Sequence, residues 1–427
     1  MPNHIVKTKE AHDFLALVPQ LIGFTPHNSV VLVAFRGNRT CGAMRFNLPQ
    51  ANVPATVEKR IATSLIGMLC KVPGADAVVP VIYTAVSVSS TRGLPHERFA
   101  DVLAKRAELS GFLVRDALCV GSDAWGSFLD PRCPAAGHPL RQIFSSSVYA
   151  AMPQELVHGL GSVHSGTELP TVDPALKERV GAQYRRLQKG FATSATRPTL
   201  VSRVGEVINP VELAEVALGW EPSALTAQDA ATLLFLVQGP GARDQMMVQF
   251  AFGREAGDAA HAANLRYWEL QRRTGLTMDD IVALELAAED VRVAGTTGAE
   301  SGAELVTADE AEARERRQGF LMGDLMLGNT LERPDPDRCD RAIKLLKTVV
   351  ALAPRAARPA PLCMLAWLSW ALGCGSVAGI FIDQALVIDR QYSMAQLLNT
   401  LLGSGHLPDW AFRMAADDEE RPDVEKA

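Results

Sequence analysis

The chain has little from which a conventional catalytic or cofactor site is built. None of its 7 cysteines stands in a CxxC pair, which removes the strongest zinc-ligand spacings. No GxxxxGK[ST] or GxGxxG follows a strand-like run, so a phosphate-cradling loop of the usual kind is absent. GLGSVHSG at Gly159 to Gly166 is glycine-rich, but it follows helix-like sequence and reads as a loop. GxSxG is missing too, since Gly121-Ser122-Asp123 and Gly161-Ser162-Val163 lack the frame. Basic excess is also lacking: 42 Lys and Arg against 48 Asp and Glu give a net charge of -6, with no electrostatic footprint for nucleic acid. MPNHIVKTKEAHDF at the start lacks the charged-then-apolar order of a secretory signal. An odd number of scattered cysteines suits reduced thiols. The expectation is a cytoplasmic protein with no cofactor and no membrane or nucleic-acid partner.

What is present is apolar mass. A length of 427 residues, 48% hydrophobic and 21% charged, suggests two or three domains able to bury large cores. Helix-like and strand-like stretches alternate at first. Ala11 to Leu21 predicts a helix with Phe14, Leu17, Val18 and Leu21 on one side, ended by Gly23-Phe24-Thr25-Pro26. Ser29 to Phe35, SVVLVAF, is a continuous apolar run and predicts a strand buried on both faces. Gly37-Asn38 turns the chain into a second strand over Thr40 to Leu48. Val53 to Cys70 predicts a helix with Val57, Ile61, Ser64, Leu65 and Met68 along one face. Asp76 to Thr84 predicts a strand that Pro80 demotes toward a sheet edge. Pro95 to Ser110 predicts a helix and Leu113 to Val120 a strand. Such alternation argues for an α/β domain with a mixed sheet over 1–165.

A helix and a linker follow over 166–204, the helix at Asp173 to Lys189 and the linker around FATSATRP. A helical region spans 205–292, with Asn209 and Thr226 placed as helix caps. A flexible joint is expected over 293–307, a helical domain over 308–414 and an acidic disordered tail over 415–427. In outline the fold class is α+β or α/β: a mixed-sheet domain, then an all-α domain.

The longest uncharged run, Pro359 to Ile382, could be read as a membrane span by its length. Gly373-Cys374-Gly375-Ser376 interrupts it, and Pro359 and Pro361 suit a helix start. Its surroundings also carry a register. Ala378 and Ala385 follow Gly373, with Arg390 where a tetratricopeptide repeat has proline. Ala342, Val349 and Pro354 fall at the same offsets earlier in the chain. Leu362 stands where that repeat has tryptophan. Helical hairpins resembling tetratricopeptide repeats are therefore expected, with Trp367 and Trp370 in their core.

Candidate sites are few. Cys133, His138, His158 and His164 form the densest Cys/His region, yet their spacings fit no usual ligand frame, so no metal is expected. Cys133 or Ser127 with His138 or His158 could make a nucleophile and base, without a supporting motif. Arg243 and Asp244, after a Gly-Pro-Gly break, read as a partner contact or as an ion pair fixing a helix corner. Trp125 could anchor an interface.

Taken in order, LVPQLIGFTPHNSVVLVAF, DALCVGSDAWGSFLDPRCPAAGHPL, the Arg243-Asp244 pair and LAWLSWALGCGSVAGIFIDQALVIDRQYSMA resemble an actinobacterial family, the domain of unknown function numbered 4192. The resemblance implies an architecture, and an actinobacterial host or its phage, without implying an activity. One departure is local: relatives carry two or more cysteines between the tryptophan and Pro-x-x-Gly, where this chain keeps Cys133. The expected function is a non-catalytic interaction or scaffold protein, with a protein or peptide partner on the C-terminal helices and possible self-association. The alternatives are an enzyme whose site lies in the α/β domain at strand ends near Trp125 to His158, and a phage or host structural component.

Overall fold

The computed structural model describes residues 10–50, 53–150, 165–192, 209–277, 280–281, 284 and 322–412. The chain divides into two compact units, built on Met1–Glu168 and Leu169–Ala411.

In the first unit a mixed sheet is covered by helices on both faces. Its strands are β1 (Ser29–Arg36), β2 (Arg39–Asn47), β3 (Ala77–Tyr83), β4 (Leu113–Val114), β5 (Leu118–Val120), β6 (Ala124–Ser127) and β7 (His138–Pro139). They lie in the order β2-β1-β3-β5-β6-β7, with β4 beside β3. The β1–β2 hairpin and the β1–β3 pair are antiparallel, whereas β3 runs parallel to β4 and β5.

The helices are α1 (Ala11–Ile22), α2 (Ala55–Leu69), α3 (Glu97–Leu109), α4 (Arg141–Phe144) and α5 (Ser147–Ala150). Side chains alternate along a strand, so β1 serves two cores. Val30, Leu32 and Ala34 pack with Leu65, Ile66 and Leu69 of α2 and Phe99 and Leu103 of α3. Val31, Val33 and Phe35 pack with Phe14, Leu15 and Val18 of α1. A strand buried on both sides needs the unbroken apolar run that SVVLVAF supplies.

Four expectations change. Leu17 of α1 is half-buried and Leu21 exposed, the core side being Phe14, Leu15 and Val18. The buried face of α2 is Glu58, Ala62, Leu65, Ile66 and Leu69, one position on from the apolar count. Glu58 is inside because Arg98 of α3 binds its two oxygens at 2.7 and 2.8 Å. Leu113 to Val120 is two short strands, β4 and β5, separated by residues 115–117. Finally, β3 is internal despite Pro80. The Val78 carbonyl accepts from the Arg115 amide on the β4/β5 side. By alternation the Pro80 nitrogen faces the same side, opposite the interruption between β4 and β5. No ladder bond is lost where no strand stands.

In its described residues the second unit is helical: α6 (Pro174–Ala192), α7 (Pro210–Leu218), α8 (Ala227–Leu236), α9 (Pro240–Phe252), α10 (Arg254–Thr274), α11 (Pro336–Leu352), α12 (Pro359–Ala371), α13 (Gly375–Ile388) and α14 (Ser393–Gly403). Asn209 caps α7 by accepting from the Val211 amide at 2.9 Å, and Thr226 caps α8 by accepting from Asp229 at 3.2 Å. The uncharged run is two helices, because Gly373 adopts φ 80 and turns the chain between α12 and α13. That left-handed conformation is one that glycine enters without a Cβ penalty. Every residue of α12 is buried. Trp367 donates to the Met326 carbonyl at 2.8 Å, and Trp370 to His406 at 3.2 Å. Trp410 donates to Ala371 at 3.1 Å. Among the described residues no helix is long and apolar enough to cross a membrane.

A polar knot joins three helices of this unit. Arg338 of α11 binds Glu215 of α7 through both carboxylate oxygens, at 2.6 and 3.0 Å. Gln249 of α9 donates to Glu215 at 2.7 Å and to the Val211 carbonyl at 2.9 Å. The expected joint at 293–307 and the tail at 415–427 lie outside the described residues, as does most of the helix expected after Thr277.

Candidate functional site

The second unit holds a cleft of about 640 Å³ between the end of α11, the start of α12 and the outer face of α13. This volume lies within the range that ligand sites occupy, roughly 300–1,000 Å³. Val350, Leu362, Ile380, Val387 and Ile388 make its walls. Helix α13 is apolar on more than one side. Ala378, Phe381, Ile382 and Ala385 face the core, while Val387 stands 74% exposed. A helix apolar beyond its core stripe has a second surface to cover.

Charge gathers on the rim. Among the described residues Lys177 of α6, Arg355 and Arg358 border the cleft, against one acid, Asp383. Arg358 donates through Nε to the Ala353 carbonyl at 3.1 Å. Burial, and then the like charge of Arg355, push the Arg358 guanidinium below its usual value. It would gain from an anion beside it.

A second feature lies in the first unit, where the parallel strands β3 and β5 end, the place where open sheets bind ligands. Asn28 and His96 are the non-glycine residues with positive φ among those described, at 42° and 64°. Both hold the turn after β3. Asn28 accepts from the Ala85 amide at 2.9 Å, and His96 Nε2 lies 3.1 Å from Thr84 Oγ1. Burial pushes His96 below its ordinary value. Asp123, from the loop after β5, accepts from the Ser87 hydroxyl and the Val88 amide, both at 2.7 Å. The hydroxyl bonds of Ser89 and Ser87 hold its carboxyl well below the usual carboxylate range.

Across the sheet at this level, Ser29 pairs with Tyr83, Tyr83 with Val120, Val120 with Trp125, and Trp125 with His138. Directly opposed residues share a face. Ser29 Oγ, Tyr83 OH and Trp125 Nε1 are buried there without a hydrogen-bond partner among the described residues. Leaving such a group unpaired costs about 1–3 kcal/mol. Tyr83→Phe is therefore expected to keep or raise stability, by up to about 1–3 kcal/mol, in urea unfolding. A loss of similar size would show that the phenol holds a bonded group.

The sequence-derived candidates fall into several places. Trp125 is buried, with the His138 ring stacked on it at 4.7 Å and the His12 ring at 6.3 Å. Cys133 is half-buried beside Gly126. His158 and His164 lie outside the described residues, and among those described no three His, Cys, Asp or Glu gather as a metal set. Ser127 is engaged in a loop bond to Asp116 and accepts from the Leu129 and Asp130 amides at 3.1 and 3.2 Å. Arg243 is 6% exposed, with Nε 2.7 Å from Asp244 and Nη1 donating to Tyr392 at 3.2 Å. Burial raises the Asp244 carboxyl, against the pull of Arg243. The pair ties α9 to the approach of α14.

Lys177, Arg355, Arg358 and Val387 were not singled out by sequence reasoning. Their signal is weak: two arginines in PRAARPAP, and an α13 sequence too apolar for one buried stripe.

No curated protein and no solved structure matches the chain. One family model does, over residues 12–288 and 324–409. That match takes in strands β1 to β7, all of α1 but its first residue, and helices α2 to α14, and by it the chain belongs to the family described as a domain of unknown function (DUF4192).

Proposed function

We propose that the helical unit is a non-catalytic partner-binding module whose cleft takes up a peptide segment of net negative charge carrying apolar side chains. The observation that carries this reading is the cleft itself, apolar along α11 and α13 with three cations and one acid at its rim. Apolar anchors supply affinity in such grooves, and rim charge supplies orientation and selection. Burial at the matched small-residue offsets supports it. Ala342 and Ala378 are fully buried at matching offsets, as is Ala385, and Val349 is 1% exposed, which suits close-stacked hairpins of the tetratricopeptide kind.

The test is fluorescence anisotropy of labelled peptides alternating Leu with Asp or Glu, titrated with the full chain. Binding is expected to weaken with added salt. Val387→Glu and Arg355→Glu are each expected to weaken it roughly tenfold or more. Equal affinity for a Lys-substituted peptide, or no effect of either variant, overturns the reading.

The strained pair at the strand ends favours a second reading, a small-molecule or enzyme site in the first unit. Backbone strain at non-glycine residues gathers at functional positions. Native mass spectrometry tests it: a small molecule should co-purify with the full chain and be lost in His96→Ala.

A further inference from the structure

We propose that Cys133 and Cys119 form a reversible disulfide, with Cys133 reacting first with a small-molecule disulfide and Cys119 completing the bond. The two thiols are brought together by the β5–β6 pair. Cys119 stands directly opposite Gly126, and facing positions of an antiparallel pair have Cβ atoms about 4.5–5.5 Å apart. Gly126 has no Cβ, and its place is taken: a Cβ built there would lie 2.7 Å from Cys133 Sγ. The Cys133 thiol thus occupies the side-chain position across from Cys119. Leu94 closes the other side of that position, 2.7 Å from the same point.

The loop that delivers Cys133 is held by its own bonds. Ser127 Oγ donates to Asp116 and accepts from Leu129 and Asp130, and the Cys133 amide donates to the Asp130 carbonyl at 3.0 Å. The thiols differ in access. Cys119 is 0% exposed, whereas Cys133 is half-buried. Burial first, and then the neighbouring Cys133, push the Cys119 thiol up to about 12. Cys133 is therefore the thiol a reagent meets, and Cys119 is slow until deprotonated.

The chemistry balances with a disulfide as oxidant. The Cys133 thiolate attacks one sulfur of oxidised glutathione. Its S–S bond breaks, one glutathione leaves as thiolate and takes up the proton Cys133 released, and a mixed disulfide remains. Cys119, once deprotonated, attacks Cys133 Sγ and expels the second glutathione, which takes up the Cys119 proton. Two protein thiols lose two electrons, and one glutathione disulfide becomes two glutathiones. Closure draws Cys119 Sγ from its contact with the Pro95 carbonyl at 3.8 Å, next to the strained His96.

The experiment treats the native full chain with oxidised glutathione, blocks free thiols with iodoacetamide and maps the digest by mass spectrometry. The expected product links the peptides of Cys119 and Cys133 and is two hydrogens lighter than their sum. Cys119→Ser should stop at a glutathione adduct on Cys133, and Cys133→Ser should leave Cys119 unmodified. Adduct resolution in the native chain should quicken about tenfold per pH unit between pH 7 and 9, following the thiolate fraction. A Cys133 adduct that persists, a bond from Cys133 to another cysteine, or reaction at exposed Cys70 with none at Cys133 overturns the proposal.

Discussion

Trp367→Ala is expected to destabilise the helical unit by about 3–5 kcal/mol, the range for removing a large aromatic from a closed core. The indole is 0% exposed and meets Phe252 and Trp370 with ring centroids 6.5 Å away in each case. Truncation leaves a cavity that helix α12, buried on all sides, cannot readily collapse. It also strands the Met326 carbonyl, which accepts from Trp367 Nε1 at 2.8 Å. Urea unfolding followed by tryptophan fluorescence reports on this unit, because five of the 6 tryptophans (Trp220, Trp268, Trp367, Trp370 and Trp410) lie in it. Trp367→Phe should cost less, since most of the volume stays and the carbonyl alone is orphaned. Equal losses for the two variants would place the hydrogen bond, rather than packing, at the centre of the core's stability.

Removing Arg338 should be the next most damaging change. A fully buried ion pair broken on one side costs about 3–5 kcal/mol. Here the side chains are 17% and 25% exposed, so water screens part of the loss and about 2–3 kcal/mol is expected for Arg338→Ala. Arg338→Met with Glu215→Leu should recover much of it, since no charge is left unpaired. Acid should imitate the single variant. The bond from Arg338, ahead of that from Gln249, holds the Glu215 carboxyl below its ordinary value. A depressed carboxyl contributes stability that is complete above its unfolded value, near pH 4.3. That contribution fades as pH falls through the lower folded value. The difference in stability between the native chain and the double variant should therefore shrink between neutral pH and pH 3. A constant difference would remove the linkage.

The parts of the fold legible in the sequence were those with dense local signals. SVVLVAF could be read as a doubly buried strand because its six residues from Val30 to Phe35 are all apolar. Gly373 marked the break in the uncharged run because the turn depends on that one residue's backbone freedom. Strands β6 and β7 left no trace, being 4 and 2 residues long, too short for a period to show. The face of α2 was read one position off because Glu58 is turned inward by Arg98, 40 residues away. An apolar count cannot see such a pair. The cleft was hidden for a similar reason: its cations come from α6 and from the α11–α12 connection, far apart in the chain. The thiol pair depends on the β5–β6 register and on the missing side chain at Gly126.

Pro80 has a consequence for how the sheet assembles. Strands of 2 and 3 residues, β4 and β5, have few bonds with which to choose their places along β3. A shift by one pleat would bring an amide-seeking carbonyl against the proline ring, where no hydrogen awaits it. The imino acid thus works as a stop, penalising a misaligned neighbour while leaving the correct alignment untouched. Pro80→Val should leave the finished sheet intact yet slow its formation, because the chain would then sample slipped pairings that the ring now forbids.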